Sequence, residues 1–271
     1  MKPPRLVAFD VDGTLVGSDL KISDTVRATI AKMLETGIAG CLVTGRMYRA
    51  TVPFARELGF DTPIVCYQGA AIVDPTTDEI LAHSAVSNEV VRELIGMTER
   101  DRKHLQLYRN DEYYCESRNR FSDLYAALSM TQPVIVPSLR EAFAYSPATK
   151  AVIVDDAPAA GEYELKVREA LGSRANVTRS LPEFVEVLDP AVDKGAALRF
   201  VAARLGVGID ETVAIGDSWN DAPLLAAAGF GIAMGSAPPE LRSVADVVVG
   251  DLKHDGVAEA IEKFVLRPGA P

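Results

Sequence analysis

The sequence predicts an α/β protein, with a Rossmann-like, doubly wound parallel sheet and an inserted α+β domain. Near both ends of the chain, apolar strand-like runs alternate with amphipathic helical stretches, a pattern typical of parallel sheets. Between residues 84 and 188 the strands alternate polar and apolar residues, and aromatic residues are more frequent. We therefore predict a core domain in two parts, residues 1–83 and 189–271, interrupted by an inserted domain at 84–188.

The first part of the core opens with the apolar run Leu6–Phe9, which predicts a buried strand. Ser23 and Asp24 mark the start of a helix with an apolar stripe, and Gly37 marks its end. The remaining predictions for this part are strands at 41–43 and 64–69, a helix at 48–58, and a hairpin formed by 71–73 and 79–82.

Helical and strand-like patterns alternate through the insert and return to the core pattern at Lys194. In the insert we predict helices near 88–102, 121–129 and 159–171, and strands at 105–109, 112–116, 151–154, 175–179 and 184–188. In the second part of the core we predict helices from 194 to 205, 219–228 and 256–265, and strands at 212–216, 231–234 and 246–249.

Composition narrows the range of functions. The net charge of −10 argues against binding nucleic acid or membranes through a basic surface. There is no apolar run of about 18 residues, so we expect no transmembrane helix. The first five residues lack the apolar stretch of a signal peptide, and the three cysteines lack metal-ligand spacing. We expect a cytoplasmic protein with buried free thiols.

The most informative motif is the pair Asp10 and Asp12, which ends the first apolar run before Gly13 and Thr14. Side chains two residues apart in a strand share a face, so both carboxylates can lean toward one space. Close carboxylates repel each other and are usually kept where a cation or a proton is needed. The pair thus fits a magnesium site with a carboxylate nucleophile and a neighbouring acid/base. The alternative is a turn capped by aspartate.

Three further motifs follow apolar runs or open a helix: Thr44-Gly45-Arg46, Lys194-Gly195 and Gly216–Asp221. Together with the first motif, and in this order, they resemble the haloacid dehalogenase superfamily, whose phosphatases form an aspartyl-phosphate. The insert after the third core strand resembles the type II cap of subclass B, the Cof-like family. Members act mostly on sugar phosphates and related small metabolites.

The resemblance implies roles for the acidic residues. Asp10 would be the nucleophile, and Asp12 would protonate the leaving alkoxide and then accept a proton from water. Asp10, the backbone carbonyl of Asp12 and Asp217 would bind Mg²⁺, a hard cation that takes oxygen ligands. Asp221 would support the metal site. Residues 217–221 can alternatively be interpreted as the capped start of a helix, and this interpretation is compatible with the metal site.

The other motif residues are expected to hold the phosphoryl group. Thr44 offers a hydroxyl, and the amides of Gly45 and its neighbours open a helix N-terminus suited to an anion. Lys194 can bridge the nucleophile and phosphoryl oxygens. Asn220 would hold the phosphoryl group or Lys194. Arg46 either contacts substrate or forms a surface ion pair.

Two positions depart from the family pattern, and other residues are left without a role. Gln68 stands where the family usually has Asn, and Trp219 occupies a position that is more often small or polar, so the substrate contacts of both stay open. His83, His104 and His254 match no ligand spacing. We interpret the arginines of the insert as part of a charged, solvent-exposed face and not as substrate ligands.

The sequence thus predicts a Mg²⁺-dependent phosphatase acting on a small phosphorylated metabolite. The expected substrate is a sugar phosphate or a similar compound, with pyridoxal phosphate and flavin mononucleotide also open. A phosphomutase on the same scaffold is one alternative. A receiver-type signalling module is another, although it would need about half this length and no insert. The sequence does not predict the oligomeric state.

Overall fold

The computed structural model describes residues 2–266, and two sheets dominate it. In chain order the strands are β1 (Leu6–Phe9), β2 (Ala39–Leu42), β3 (Ile64–Cys66), β4 (Ala71–Val73), β5 (Ile80–His83), β6 (His104–Arg109), β7 (Glu112–Cys115), β8 (Val134–Ile135), β9 (Lys150–Val154), β10 (Asn176–Arg179), β11 (Phe184–Leu188), β12 (Thr212–Gly216), β13 (Phe230–Ala233) and β14 (Val247–Val248). The helices are α1 (Asp24–Glu35), α2 (Tyr48–Leu58), α3 (Asn88–Asp101), α4 (Arg120–Ser129), α5 (Leu139–Ala142), α6 (Ala157–Leu171), α7 (Lys194–Arg204), α8 (Ala222–Ala227), α9 (Pro239–Arg242) and α10 (Gly256–Ala260).

The core sheet has five strands in the order β14-β13-β12-β1-β2, and every neighbouring pair is parallel. A single parallel bridge between Val43 and Val65 brings the antiparallel unit β3-β4-β5 beside β2. The strands of the sheet centre are fully buried because helices cover both faces, as expected for a doubly wound sheet. The predicted fold class is confirmed.

The insert builds a second sheet of six strands in the order β10-β11-β9-β6-β7-β8. Alternation along its strands divides the buried residues between two clusters. Tyr108 and Val152 belong to the cluster that also contains Phe9 of the core, whereas Leu107 and Ile153 pack with the helices of the insert. One face of this sheet therefore packs toward the core, over the ends of the core strands.

Local signals place the helix ends well. The Ser23 hydroxyl accepts a hydrogen bond from the amide of Val26 (3.1 Å) and caps α1, and α2 has the predicted bounds. The predicted strand at 64–69 is too long: β3 ends at Cys66, and Tyr67 and Gln68 adopt positive φ angles of 52° and 61°. The chain turns there to join β3 to its antiparallel neighbour β4.

Short elements escape prediction. β8, α5 and α9 have two to four residues each, too few for a periodic pattern. The predicted helix at 219–228 is a 3₁₀ turn followed by α8, and the one at 256–265 is α10 followed by a π-helical turn. The domain boundaries at 83/84 and 188/189 stay predictions.

Two composition-based expectations can be compared with the structure. Cys41, Cys66 and Cys115 are free and buried, as predicted. Among residues 2–266, every helix is too short or too polar to span a lipid bilayer.

Candidate active site

The four sequence motifs meet at one edge of the core sheet. β1, β2 and β12 are adjacent and parallel, so their carboxyl ends lie together. The loops that follow carry Asp10, Thr44 and Asp217, while Lys194 arrives on the first turn of α7. This edge is where open α/β sheets usually bind ligands.

Lys194 is the centre of a buried charge cluster. Its Nζ donates to Asp10 Oδ1 and to Asp221 Oδ1, both at 2.6 Å, and its side chain is fully buried. Burial acts to lower the pKa of Lys194, but the charges of Asp10 and Asp221 outweigh it and raise that pKa. The lysine is therefore a permanent cation that fixes the Asp10 carboxylate in place.

Asp221 acts as a support for its own loop. Its Oδ1 accepts from Lys194, and its Oδ2 accepts from the backbone amides of Asp217 and Ser218, each at 3.0 Å. Asp217 in turn accepts a hydrogen bond from the Thr14 hydroxyl (3.0 Å). Gly13 is required beside it, because a Cβ at this position would lie 2.1 Å from Asp217 Oδ2.

The acidic cluster has the charge and ligands of a cation site. Oxygen atoms of Asp10, Asp217 and Asp221 all lie within 4.8 Å of one another, and Lys194 donates to Asp10 and to Asp221. Burial, followed by the charge of Asp221, raises the pKa of Asp10 well above its usual range and that of Asp217 to about 7. Three carboxylate donors with excess negative charge fit a hard divalent cation such as Mg²⁺.

Asp12 is held by Arg46. The guanidinium Nε donates to Asp12 Oδ2 (2.7 Å) and Nη2 donates to Oδ1 (2.6 Å), a bidentate pair. Arg46 is 7% exposed, so this is no surface ion pair, and its amide donates to Thr44 Oγ1 (3.2 Å). Burial acts to lower the pKa of Arg46, but the bonds and charge of Asp12 raise it overall.

A buried polar network joins the insert to the loops at the edge of the core sheet. Lys150 on β9 donates to the carbonyl of Gly45 (2.8 Å) and to Glu186 on β11 (3.0 Å), and both side chains are 2% exposed. Gln68 donates to Glu186 (3.2 Å) and accepts from Asn220 (2.9 Å). Two motif residues, Gly45 and Asn220, are thus tied to the insert.

The sequence analysis missed Lys150 and Glu186. Each is a charged residue inside an apolar strand, Lys-Ala-Val-Ile-Val and Phe-Val-Glu-Val-Leu, and such a residue is rarely buried without a partner. A charged residue in an apolar strand is therefore a sequence signal that could have identified both residues. The network also gives Gln68 a role, because this side chain bonds to Glu186 and Asn220.

The remaining residues lie outside the charge cluster. Trp219 packs against the insert, with the guanidinium of Arg179 4.7 Å from its ring centroid. His83 contacts Thr149, His104 contacts Asn119, and His254 is exposed beside Asp251. The three histidines are therefore outside the acidic cluster, in keeping with the sequence analysis.

A cleft between the core edge and the insert leads to this cluster. It reaches Asp10, Asp12 and Thr44 from the core, and its other side is formed by α4, the loop before β11 and β11 itself. The insert thus covers this edge of the core sheet and forms one side of the cleft.

Comparisons with known proteins agree with this geometry. Residues 7–261 match the family model of haloacid dehalogenase-like hydrolases. The chain is 27% identical over 267 residues to a 5-amino-6-(5-phospho-D-ribitylamino)uracil phosphatase of Bacillus subtilis, covering 96% of this chain and 97% of that one. A haloacid dehalogenase-like hydrolase from Bacteroides thetaiotaomicron superposes with a TM-score of 0.84 at 31% identity, over 96% and 98% of the two chains. A subclass IIB sugar phosphatase shares the fold, with a TM-score of 0.85 at 20% identity over 96% and 98%.

Proposed function

Because the chain belongs to the haloacid dehalogenase-like hydrolases, we propose that it is a Mg²⁺-dependent phosphatase of small phosphorylated metabolites. The reaction proceeds through an aspartyl-phosphate on Asp10. The observation that carries this proposal is the Asp10–Lys194–Asp221 cluster beside Asp217, at the end of a cleft that also exposes Asp12. The named activity of the Bacillus relative supports the same class of substrate.

Attack by Asp10 is the first step. Its carboxylate oxygen forms a bond to phosphorus as the ester P–O bond breaks, and Asp12 gives its proton to the leaving oxygen. Lys194 keeps the Asp10 side chain in line, and the Thr44 hydroxyl and nearby amides hold the phosphoryl oxygens. Arg46 holds both carboxylate oxygens of Asp12 in the structure, so Asp12 takes up its proton and acts as the acid when this ion pair opens.

Hydrolysis of the acyl-phosphate is the second step. Asp12, now ionised, takes a proton from a water molecule that attacks phosphorus, and the bond to Asp10 breaks to release phosphate. Asp10, Asp217 and the backbone carbonyl of Asp12 would hold Mg²⁺, with Asp221 in support. When bound, the ion offsets negative charge on the phosphoryl oxygens.

Phosphate release from a panel of phosphorylated metabolites, with Mg²⁺ or with EDTA, tests the proposal. We expect Mg²⁺-dependent release that Asp10→Asn abolishes, because an amide cannot act as the nucleophile. The matched control is Asp19→Asn, an exposed aspartate on the loop after β1, which should retain wild-type rates. Near-normal turnover by Asp10→Asn would refute the assignment.

Asp12→Asn tests the acid/base role separately. We expect it to retain the metal-dependent rise in melting temperature and to slow turnover by about 10²–10⁴-fold, the usual span for a general acid or base. Full turnover by this variant would remove Asp12 from that role.

Family membership removes the receiver-type alternative, because the family match runs through both core parts and the insert. A phosphomutase stays compatible with the same residues. It would transfer the phosphoryl group to a second substrate hydroxyl instead of water, and product analysis by phosphorus NMR separates the two. We also propose a cytoplasmic location, which fractionation would test.

A further inference from the structure

The loop between β2 and α2, residues 44–47, carries groups that the proposed reaction uses. Thr44 provides a hydroxyl, and Arg46 holds both oxygens of the Asp12 carboxylate. The first turn of α2 follows this loop directly, so a shift of that turn would move the loop. Whatever fixes the start of α2 therefore matters for the reaction.

The start of α2 has no cap from its own stretch of chain. The first amides of a helix have no partner within the helix, and a serine, threonine, asparagine or aspartate at the N-cap usually accepts from them. The N-cap residue of α2 is Met47, whose side chain forms no capping hydrogen bond.

Asp111 of the insert supplies the missing cap. Its Oδ1 accepts from the amide of Tyr48 (2.9 Å), and its Oδ2 accepts from the amide and the Nε of Arg49 (2.8 and 3.1 Å). A carboxylate here also meets the positive end of the helix dipole. Asp111 and Asn110 form the two-residue turn between β6 and β7, with φ angles of 56° and 53° that aspartate and asparagine tolerate well. The cap is therefore held at the tip of a short hairpin.

Asp111 also reaches the 44–47 loop through Tyr67. The Tyr67 hydroxyl donates to Asp111 Oδ1 (2.7 Å), and burial raises its pKa, so the hydroxyl stays protonated. The amide of Tyr67 donates to the carbonyl of Arg46 (3.0 Å), and the amide of Gln68 donates to that of Thr44 (2.9 Å). One carboxylate thus joins the start of α2 to the segment that bonds along the loop.

Resting on the proposed phosphatase function, we infer that Asp111 is a positioning residue, which holds the 44–47 loop in place for the phosphoryl group through α2 and Tyr67. Asp111 is not part of the cleft lining, so it acts through the loop and not on the substrate. The insert in this way contributes to the chemical step as well as to the cleft wall.

Turnover of p-nitrophenyl phosphate with Mg²⁺, and its inhibition by orthovanadate, test the inference. The p-nitrophenolate leaving group needs no proton, so the first step does not depend on Asp12 as an acid. We expect Asp111→Ala to lower kcat about 10–10²-fold, because displaced donors no longer stabilise the transition state. Vanadate takes the five-coordinate geometry of that state, so its inhibition constant should rise by a similar factor.

Asp123→Ala is the matched control, because it removes a charged hydrogen bond to Arg118 (2.8 Å) on the exposed surface of the insert. It should retain the wild-type kcat and inhibition constant. A variant that only loses folded protein would show a lower kcat with an unchanged inhibition constant. That result in Asp111→Ala would overturn the inference, and so would unchanged values of both.

Hydrogen exchange, measured by NMR, needs no activity. Asp111→Asn keeps the shape of the side chain but turns one acceptor oxygen into an NH₂ group. The amide of Tyr48 or of Arg49 that faces this group should exchange about tenfold faster, whereas the amides at the start of α4, which Asn119 caps, should not change. Unchanged exchange at both Tyr48 and Arg49 would refute the capping contact.

The two levels of the proposal fail separately. Faster exchange in Asp111→Asn, without phosphate release from any ester by the wild type, would overturn the phosphatase function and leave the cap on α2 standing. Mg²⁺-dependent release by the wild type, with kcat and vanadate inhibition unchanged in Asp111→Ala, would overturn the positioning role alone.

Discussion

Asp217→Asn should make the metal-free protein more stable while it abolishes turnover. The cluster around Lys194 holds three carboxylates against one ammonium, and Asp217 is the one that Lys194 does not bond. Burial and the charge of Asp221 raise the pKa of Asp217 from 3.8 to about 7. An amide has the same shape, carries no charge, and can still accept the Thr14 hydrogen bond.

The pH dependence follows from the direction of that shift. The pKa of Asp217 is higher in the folded protein than in the unfolded chain, so protonated Asp217 favours the folded state. This contribution to stability is complete below pH 3.8 and is lost as the pH rises through 7. The full shift corresponds to about 4 kcal/mol above pH 7. Repulsion partly relaxes when Asp217 moves, so we expect Asp217→Asn to gain about 1–4 kcal/mol of unfolding free energy at pH 8 in EDTA. The gain should shrink toward pH 4.

Urea unfolding at pH 8 and at pH 5, each in EDTA and in Mg²⁺, measures this difference. Mg²⁺ should stabilise the wild type more at pH 8 than at pH 5, and it should stabilise Asp217→Asn much less. Asp19→Asn, an exposed substitution, should behave as the wild type in all four conditions. The reasoning would be refuted if Asp217→Asn were less stable than the wild type at pH 8 in EDTA.

Three further predictions concern packing, charge and pH. Gly195→Ala should lower the unfolding free energy by about 1–3 kcal/mol and reduce turnover, because the added Cβ would lie 2.3 Å from a backbone carbonyl at the start of α8. Gly161→Ala in α6 is the comparison: its added Cβ would lie 3.6 Å from the nearest atom, so we expect it to raise the unfolding free energy by about 0.5–1 kcal/mol. Urea unfolding measures both changes. Lys150→Met should lower the unfolding free energy by about 3–5 kcal/mol, because it leaves the Glu186 charge buried without its cation. Adding Glu186→Leu should recover most of that loss in the same assay, and a double variant less stable than Lys150→Met alone would contradict the prediction. Burial lowers the pKa of His104 to about 4, so stability present above pH 6.5 should be lost as pH falls toward 4, and His104→Asn should flatten that part of the profile.

The sequence predicts which motifs meet at this edge of the core sheet, because the signals for them are local. Asp10, Thr44 and Asp217 each follow an apolar run, and parallel strands bring such positions together. Helix ends with a cap residue, such as Ser23 before α1, are equally accessible. These features depend on a few neighbouring residues and on a rule of topology.

Contacts between the core and the insert cannot be predicted from such local signals. Lys150 and Gly45 are 105 residues apart, and the sequence does not show which face of β9 meets the core. The sequence left Arg46 either a substrate contact or a surface ion pair, whereas the structure pairs it with Asp12 on another loop. Gln68 turns out of β3 with a positive φ, although its residue type gives no warning of a turn. Specificity is hidden for the same reason, because the cleft wall is assembled from distant segments.

The polar network that joins the insert to the core has a consequence for the reaction cycle. Each turnover must admit an ester and release phosphate and an alcohol past the insert. Separating two hydrocarbon surfaces in water is opposed in proportion to their area, whereas the groups that form hydrogen bonds across the seam, such as Lys150 to the Gly45 carbonyl and Gln68 to Glu186, regain hydration when they are exposed. These hydrogen bonds therefore align the insert accurately on the core and add little to the resistance that the shared apolar cluster offers when the two parts separate.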